Sequence, residues 1–186
     1  NAGFAAKNVG FEIAKGEYIT IQDSDDASLL NRIEVQYELI KKYSAVLITT
    51  GYKEFEEALV GTTYEGPLPP PTMGKEEIYK LSQSTKGIVA KISTALNRMI
   101  PFTVKRWRGV NKLFWGSLKP HPGASGVAFF SRKLIDDGIR FRALKERVWP
   151  SFMGRGADRD FNFRVAEMYK NSYFFDIPLY LWRTQR

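Results

Sequence analysis

The sequence predicts an α/β fold in which helices flank a mainly parallel β-sheet. Helical and strand patterns alternate between Phe4 and Thr49, as they do where helices connect parallel strands. The chain has 186 residues, 44% of them hydrophobic, which is enough for one core without requiring two domains. We therefore expect a single domain over residues 1–186. Because the chain begins at Asn1 without a methionine, we also expect it to be a truncated part of a longer domain.

Four segments in the N-terminal part carry the alternating pattern. A helix is predicted from Phe4 to Lys15, since apolar residues recur at helical spacing and Gly16 suits the position after a helix. The segment from Tyr18 to Gln22 is short, aromatic and β-branched, which favours a strand. A second helix over Leu29 to Lys42 and a buried strand over Ala45 to Thr49 complete the alternation. In such folds ligands bind at the carboxyl edge of the sheet, where the acidic residues after the first strand fall.

The apolar residues of these two helices are expected to face the core. In the first helix they are Phe4, Val9 and Ile13. In the second helix they are Leu30, Ile33, Tyr37 and Ile40. The other faces of the second helix are expected to carry its charged residues, namely Arg32, Glu34, Glu38 and Lys41.

A basic, partly helical insertion is predicted at about residues 66–120. The proline-rich run from Gly66 to Pro71 cannot continue a helix or a central strand, so it marks the entrance to the insertion. Thr72 to Lys119 contains ten Lys and Arg against two Glu, and this segment alone accounts for the net charge of +8. Apolar residues from Ile78 to Met99 have helical spacing, interrupted at Gly87. The segment suits an anionic membrane leaflet or a phosphorylated acceptor, and a solvated basic face is the alternative.

The C-terminal part contains two more predicted strands and two more predicted helices. Gly126 to Phe130 is a strand candidate, and Ser131 could cap a short helix from Arg132 to Asp137 that ends at Gly138. Asp158 could cap a helix that runs to Tyr169. An aromatic run from Tyr173 to Trp182 is the last strand candidate, although Pro178 interrupts it.

The cluster Asp23-Ser24-Asp25-Asp26 follows the first predicted strand. Three carboxylates in four residues repel one another, and a hard divalent cation would relieve that repulsion. Mg²⁺ and Mn²⁺ are held by one or two carboxylates and share their remaining positions with water and substrate phosphates. The alternative is that Asp26 or Ser28 only caps the following helix.

Four runs in the N-terminal part extend from Phe4 to Gly10, from Ala14 to Ile19, from Gln22 to Asp26 and from Arg32 to Gln36. Their order and spacing resemble the donor-binding region of glycosyltransferase family 2. This resemblance implies the GT-A fold, a mainly parallel nucleotide-sugar-binding sheet flanked by helices. It also implies that the N-terminal strands of that fold, which hold the nucleotide base, are missing from this chain.

By this resemblance the acidic turn is the family's Asp-X-Asp motif. Asp23 and Asp25 then form the pair, and Asp25 and Asp26 are the expected ligands of Mn²⁺ or Mg²⁺, although the sequence leaves open which carboxylate touches the ion. The residues expected to contact the donor are Lys7, Asn8, Asp23, Asp25, Arg164 and Arg183.

A second match lies between Gly154 and Arg164, which resembles the family's Glu-Asp segment and the arginine after it. Asp158 occupies the position of the catalytic base, while the Glu that often precedes it is Ala157 here. Asp160 is the fallback base. The alternative for Asp158 is that it only caps its helix.

The function that this resemblance implies is an inverting, metal-dependent transfer of a sugar from a nucleotide-sugar donor, UDP-linked by expectation, to a hydroxyl acceptor. The acceptor would be a glycan, a polysaccharide of the cell envelope or a lipid-linked molecule. The alternative is a catalytically inactive, transferase-like binding module that docks on an anionic membrane or a phosphorylated glycan. No RNP motif or zinc spacing is present in the sequence, so specific nucleic-acid binding is not expected. The expected location is cytoplasmic, with peripheral contact at the inner face of the membrane.

Overall fold

The computed structural model describes residues 3–87, 99–105, 107, 125–151 and 156–183. The helices in these ranges are α1 (Phe4–Ile13), α2 (Arg32–Lys42), α3 (Lys75–Thr85), α4 (Phe102–Lys105), α5 (Lys133–Asp136) and α6 (Ala157–Tyr169). The strands are β1 (Tyr18–Thr20), β2 (Ala27–Ser28), β3 (Leu47–Glu54), β4 (Ala128–Ser131) and β5 (Ser172–Trp182). Short 3₁₀ helices span Glu57–Leu59, Ser125–Val127 and Leu144–Glu146.

The five described strands form one mixed sheet in the order β1-β4-β3-β5-β2. The pair β3–β5 is parallel, and the pairs β1–β4, β3–β4 and β2–β5 are antiparallel. The α/β class is therefore confirmed, but among the described strands the sheet is mixed and not mainly parallel. The reason is that β4 lies between β1 and β3 and runs against both, so that β1, β3 and β5 share a direction without all being neighbours.

Most predicted elements are present with shifted boundaries. Helix α1 stops at Ile13, because Ala14 already has an extended backbone (φ −64°, ψ 134°). Strand β3 continues five residues beyond the predicted end at Thr49, because it pairs with β5 over its whole length. The Ser131 hydroxyl accepts a hydrogen bond from the Lys133 N–H (3.3 Å), but the N-cap residue of α5 is Arg132 and not Ser131 as predicted. As predicted, Gly138 follows that helix, with a positive φ of 81°.

Separate apolar clusters cover the sheet. One cluster joins α1 and α6 to strands β1 and β4, with Phe11, Phe130 and Phe161 among its buried rings. A second cluster joins α2 to β3 and β5 and includes Leu39 and Phe175. A third cluster lies between α3 and α6, where Ile78 and Trp149 are buried. The sheet therefore lies between α2 and the layer formed by α1 and α6.

The predicted core faces of α1 and α2 are correct at Phe4 and Ile40, which are buried, and wrong at the other predicted positions. Val9 and Ile13 are 63% and 73% exposed, and Leu30 is 71% exposed. Instead, the buried residues of α2 are Arg32, Val35, Gln36, Leu39 and Ile40. Arg32 and Gln36 can be buried because polar groups of the neighbouring strands satisfy their hydrogen bonds, as described below.

The region of the predicted basic insertion is described only in part. Helix α3 begins where the Gly74 N–H donates to the Glu77 carboxylate (2.9 Å), and it ends at Thr85, before Gly87. Residues 88–98 and 108–124, which carry most of the predicted basic stripe, lie outside the described residues. Among the helices that the structure describes, none combines the length and apolarity needed to cross a membrane.

Candidate functional site

The acidic residues Asp23 to Asp26 form a turn between β1 and β2. Within the turn, the Asp26 N–H donates to the Asp23 carbonyl (3.2 Å). Directly after it, β2 pairs with the last part of β5, with Ala27 opposite Leu181. The turn is thereby held at the edge of the sheet where β1 and β5 both end.

The three carboxylates of this turn have different surroundings. Asp23 forms an ion pair with Lys7 of α1, with 2.8 Å between Nζ and Oδ1. Both oxygens of Asp26 accept hydrogen bonds, Oδ2 from the Tyr180 hydroxyl (2.7 Å) and Oδ1 from the Arg183 N–H (2.7 Å). Asp25 is exposed, and its carboxylate makes no hydrogen bond or ion pair with the described residues. Asp25 is thus the carboxylate that can bind a ligand without breaking an existing contact.

Tyr180 connects the two ends of the turn. Its side chain is buried, and its hydroxyl donates to Asp26 while accepting a hydrogen bond from the Asp23 N–H (3.2 Å). Burial, together with donation to Asp26, raises the pKa of the Tyr180 hydroxyl above its ordinary value. The hydroxyl therefore remains protonated at neutral pH and keeps its role as a donor.

Arg32 of α2 is 3% exposed and lies beneath the turn. Its guanidinium donates to six neutral oxygens, which belong to Gln36, Gln22, Ser28, Thr20, Ile21 and Gly126. Burial lowers the pKa of Arg32 to about 10, so the group is still charged at neutral pH. The guanidinium carbon also lies 5.0 Å from the centre of the Tyr180 ring, so Arg32 covers one face of that ring.

Gly126 allows this arrangement because a side chain at its position would collide with Tyr180. A Cβ at Gly126 would lie 2.8 Å from both Cζ and the hydroxyl oxygen of Tyr180, which is closer than packed carbon atoms approach. The Gly126 carbonyl also accepts a hydrogen bond from Arg32. The backbone at Gly126 and the Arg32 guanidinium therefore fix the tyrosine ring together.

Arg183 places a positive charge beside the turn. Its Nε donates to the Asp25 carbonyl (3.1 Å), and its guanidinium carbon lies 3.9 Å from the centre of the Phe55 ring. The side chain is exposed, and its two terminal nitrogens make no hydrogen bond with the described part of the chain. Those nitrogens remain able to contact an anionic group bound at the turn.

Two further residues predicted to contact the donor lie in other networks. The Asn8 side-chain amide donates to the Phe141 carbonyl and accepts from the Phe141 N–H, both at 2.9 Å, so it joins α1 to the segment after α5. Arg164 is partly buried on α6, and burial followed by the nearby charge of Arg142 lowers its pKa. Asn8 thus has a structural role, which does not fit its predicted contact with the donor.

Asp160 does not fit the role of fallback base. It is 1% exposed, and Arg142 binds both of its oxygens at 2.9 and 2.7 Å. The Val148 N–H also donates to Oδ1 (3.0 Å). A carboxylate held in this way by a buried ion pair and a backbone donor cannot approach an acceptor hydroxyl, so Asp160 anchors the segment before α6.

Asp158 lies in the first turn of α6 and does not cap that helix. The N-cap residue is Gly156, whose φ of 77° lies in the left-handed region that favours glycine. No side chain forms a cap hydrogen bond at this end of the helix. Asp158 is partly exposed, and its charge acts on the neighbouring Arg147 and Arg159. Burial lowers the pKa of Arg159 to about 10, while the charge of Asp158 acts in the opposite direction. The prediction that Asp158 caps α6 is therefore wrong.

Direct contacts bring together Lys7, Asp23, Asp25, Asp26 and Arg183. Asn8 and Asp160 belong to other networks, and Arg164 lies on α6 within the influence of the Arg142 charge. Tyr180 and the burial of Arg32 were not predicted from the sequence. A usable signal was present: Arg32 and Gln36 are spaced i, i+4, and such a pair of hydrogen-bonding side chains can share one helix face.

Comparison with known proteins identifies the family of the chain. The profile of Glycosyl transferase family 2 matches residues 1–103, which is more than half of the chain. The chain therefore belongs to glycosyl transferase family 2. Together with the α/β sheet, this membership confirms the predicted GT-A class of fold.

Individual relatives match this chain with different coverage. Glycosyltransferase GlyG of Streptococcus pneumoniae is 43% identical over 53 residues, which cover 28% of this chain and 18% of GlyG. A crystal structure of S. aureus TarS aligns with 97% of this chain and 40% of its own, at 16% identity and a TM-score of 0.46. A second TarS structure, a complex with UDP-GlcNAc, aligns with 97% of this chain and 38% of its own, at 16% identity and a TM-score of 0.45. The chain thus spans less than half the length of each of these proteins.

Proposed function

We propose that the protein containing this chain transfers a sugar from a nucleotide-linked donor, UDP-linked by expectation, to a hydroxyl acceptor with inversion at the anomeric carbon. The observation that carries the proposal is that the three carboxylates of the turn differ in the contacts they make. Asp23 and Asp26 are bound by other residues, while Asp25 is exposed and available for a ligand. Family membership supports the choice of reaction.

The donor set of the turn fits Mg²⁺ or Mn²⁺. No cluster of three or more His, Cys, Asp or Glu side chains suited to a metal occurs in the described ranges, so a metal held by these residues would have at most two such ligands from them. A pair is sufficient where substrate phosphates and water complete the coordination. Asp25 would be the principal ligand, with Asp26 as the second carboxylate through its remaining lone pairs. When bound, the cation stabilises the charge that develops on the departing diphosphate.

Other side chains would bind the donor phosphates, hold the turn and accept the proton. Arg183 supplies guanidinium N–H donors beside Asp25 that make no hydrogen bond with the described residues, and they suit a phosphate oxygen. Lys7 holds Asp23 and keeps a positive charge on the α1 side of the turn. We propose that Asp158 takes the proton from the acceptor hydroxyl as that oxygen attacks.

A turnover assay on the full-length protein tests the proposal. Asp25→Asn should lower nucleotide release from UDP-sugars by about 100-fold or more, because it removes the charge that binds the cation. Asp136→Asn is a matched control, since it removes an exposed carboxylate of α5 whose Oδ1 lies 3.5 Å from Nε of Arg132. Equal loss in the two variants would contradict the assigned site. Full turnover in excess chelator would contradict the metal, and donor binding without turnover by the unaltered protein would favour the inactive binding module.

A further inference from the structure

The Tyr180 hydroxyl is the group that joins the beginning and the end of the acidic turn. It contacts the backbone of Asp23 and the side chain of Asp26, with atoms 3.2 and 2.7 Å away. A phenol has one proton and can also accept hydrogen bonds, so these two contacts use its donor and one of its acceptor sites. Removing this one oxygen would take one hydrogen bond from each end of the turn.

The position of this hydroxyl is fixed by the surrounding structure. The tyrosine ring lies against the Gly126 backbone and beneath the Arg32 guanidinium, and its own backbone pairs with Ser28. Arg32 also donates to Thr20 and Ser28, which flank the turn on β1 and β2. The strands before and after the turn, and the ring that bridges it, are therefore held by one side chain of α2.

We propose that Tyr180 is a positioning residue for the binding of a divalent cation and a nucleotide diphosphate at the acidic turn. This inference rests on the proposed function. By donating a hydrogen bond to Asp26, the hydroxyl fixes that carboxylate without adding a positive charge that would compete with the cation. By accepting from the Asp23 N–H, it sets the turn in which Asp25 faces solvent. Tyr180 acts through Asp23 and Asp26 and does not touch the reacting atoms.

The physical reason for a neutral donor at this place is the charge balance of the turn. Asp23 already has the ammonium of Lys7, and a second ammonium on Asp26 would cancel the charge that attracts the metal. A phenol orders the carboxylate and leaves its charge in place. Partners that orient the residues of a metal site typically change metal affinity or activity by about 10- to 100-fold when they are removed.

The test compares Tyr180→Phe with the unaltered full-length protein. Phenylalanine keeps the ring between Gly126 and Arg32 and removes only the oxygen. The dissociation constant of Mn²⁺ is measured in the presence of UDP by electron paramagnetic resonance of the free ion, and the melting temperature is recorded in parallel. We expect the Mn²⁺ dissociation constant to rise by about tenfold or more. Tyr173→Phe is the matched control, since it removes another phenol from the same strand, and it should leave Mn²⁺ binding unchanged.

A double variant separates positioning from a general loss of structure. If Tyr180 acts through Asp26, Tyr180→Phe should weaken Mn²⁺ binding much less in an Asp26→Asn background than in the unaltered protein. A purely structural role would weaken binding by the same factor in both backgrounds, and that result would overturn the proposal.

The remaining outcomes are also decisive. If Tyr180→Phe fails to fold, Gly126→Ala replaces it, because the added Cβ displaces the phenol without removing it. Unchanged Mn²⁺ binding in the folded variant would overturn the positioning role while leaving the proposed function intact. Absence of Mn²⁺ and UDP binding in the unaltered protein would overturn both.

Discussion

Arg32 shows how a charged residue can be buried without a carboxylate beside it. Its six described partners are neutral oxygens that come from α2, from the turn region and from Gly126. Such an arrangement stabilises the fold only while every donor is satisfied, because an unpaired polar group in a buried place costs about 1–3 kcal/mol. The residue therefore links the stability of α2 to the shape of the candidate site.

The first prediction concerns the stability that Arg32 provides. Arg32→Met should lower the free energy of unfolding by at least about 2 kcal/mol, since it leaves several buried oxygens without donors. The measurement is urea unfolding of the full-length protein followed by circular dichroism. Lys41→Met, an exposed residue of the same helix, is the control and should change the value by less than about 0.5 kcal/mol. Equal effects of the two substitutions would contradict the structural role of Arg32.

The second prediction separates Asp158 from Asp160. Asp158→Asn should lower sugar transfer by about 100-fold with little change in melting temperature, because the residue is neither the helix cap nor deeply buried. Transfer rate and melting temperature are measured together.

Asp160→Asn should lower the stability of the protein and have little direct effect on sugar transfer. It leaves Arg142 facing an amide in a buried place, so we expect a loss of at least about 2 kcal/mol in unfolding free energy. A large loss of transfer in the folded Asp160→Asn protein, with Asp158→Asn fully active, would show that the base had been assigned to the wrong residue.

At the scale of single elements, helix periodicity predicted where α2 lies but not which way it faces. The apolar stripe through Leu30 and Ile33 is exposed, and the polar pair Arg32 and Gln36 is buried. Periodicity assigns apolar residues to the core, whereas here the hydroxyls of Thr20 and Thr50 and the Val127 carbonyl accept hydrogen bonds from a polar helix face. The burial of this polar face depends on tertiary contacts between distant segments, so a local sequence pattern cannot reveal it.

The third prediction concerns the contact between α5 and α6. The Tyr169 hydroxyl donates to the Asp137 carboxylate at the end of α5. Burial, followed by this hydrogen bond, raises the pKa of Tyr169 to about 12. A raised pKa means that the stability from this contact is fully present below the unfolded-state value of about 10 and is lost as pH rises towards the folded-state value.

Urea unfolding at several pH values between 8 and 11 tests this contact. Tyr169→Phe should be less stable than the unaltered protein at pH 8, and the difference should shrink as the pH rises above 10. A difference that stays constant over this range would show that ionisation of Tyr169 is not linked to folding.

At the scale of the whole molecule, the sequence predicted the α/β class, the family and the acidic turn better than it predicted the order of strands. The strand sequence from Ala128 to Phe130 shows that a strand exists but does not show that it lies between β1 and β3. Strand order depends on pairings between residues far apart in the chain, such as Ile19 with Phe130. Tyr180 was missed for the same reason, since its partners Asp23 and Asp26 lie more than 150 residues away.

The fourth prediction concerns the basic segment from Thr72 to Lys119, which carries the whole net charge of +8. We propose that it binds the protein to anionic membranes, so co-sedimentation with anionic vesicles should fall as salt is added. Replacing Arg98, Arg106 and Arg108 by Gln should weaken this binding. The matched control replaces Lys41, Lys42 and Lys53, which removes the same charge elsewhere. Equal binding to neutral and anionic vesicles, or equal effects of the two triple variants, would contradict the proposal.

The length of strand β5 fixes the position of Tyr180 between the core and the acidic turn. The strand starts at Ser172, beside the first residue of β3, and eight residues later the Tyr180 hydroxyl donates a hydrogen bond to Asp26. Because successive side chains of a strand point to opposite faces, inserting or deleting one residue before Tyr180 would turn the phenol away and present a leucine to the turn. The ladder already changes register twice, before and after Gly51, which lies opposite Pro178. The spacing within this strand is therefore under a constraint as strict as the identity of the residues at its end, and length variation in relatives should be found in the loops and not in β5.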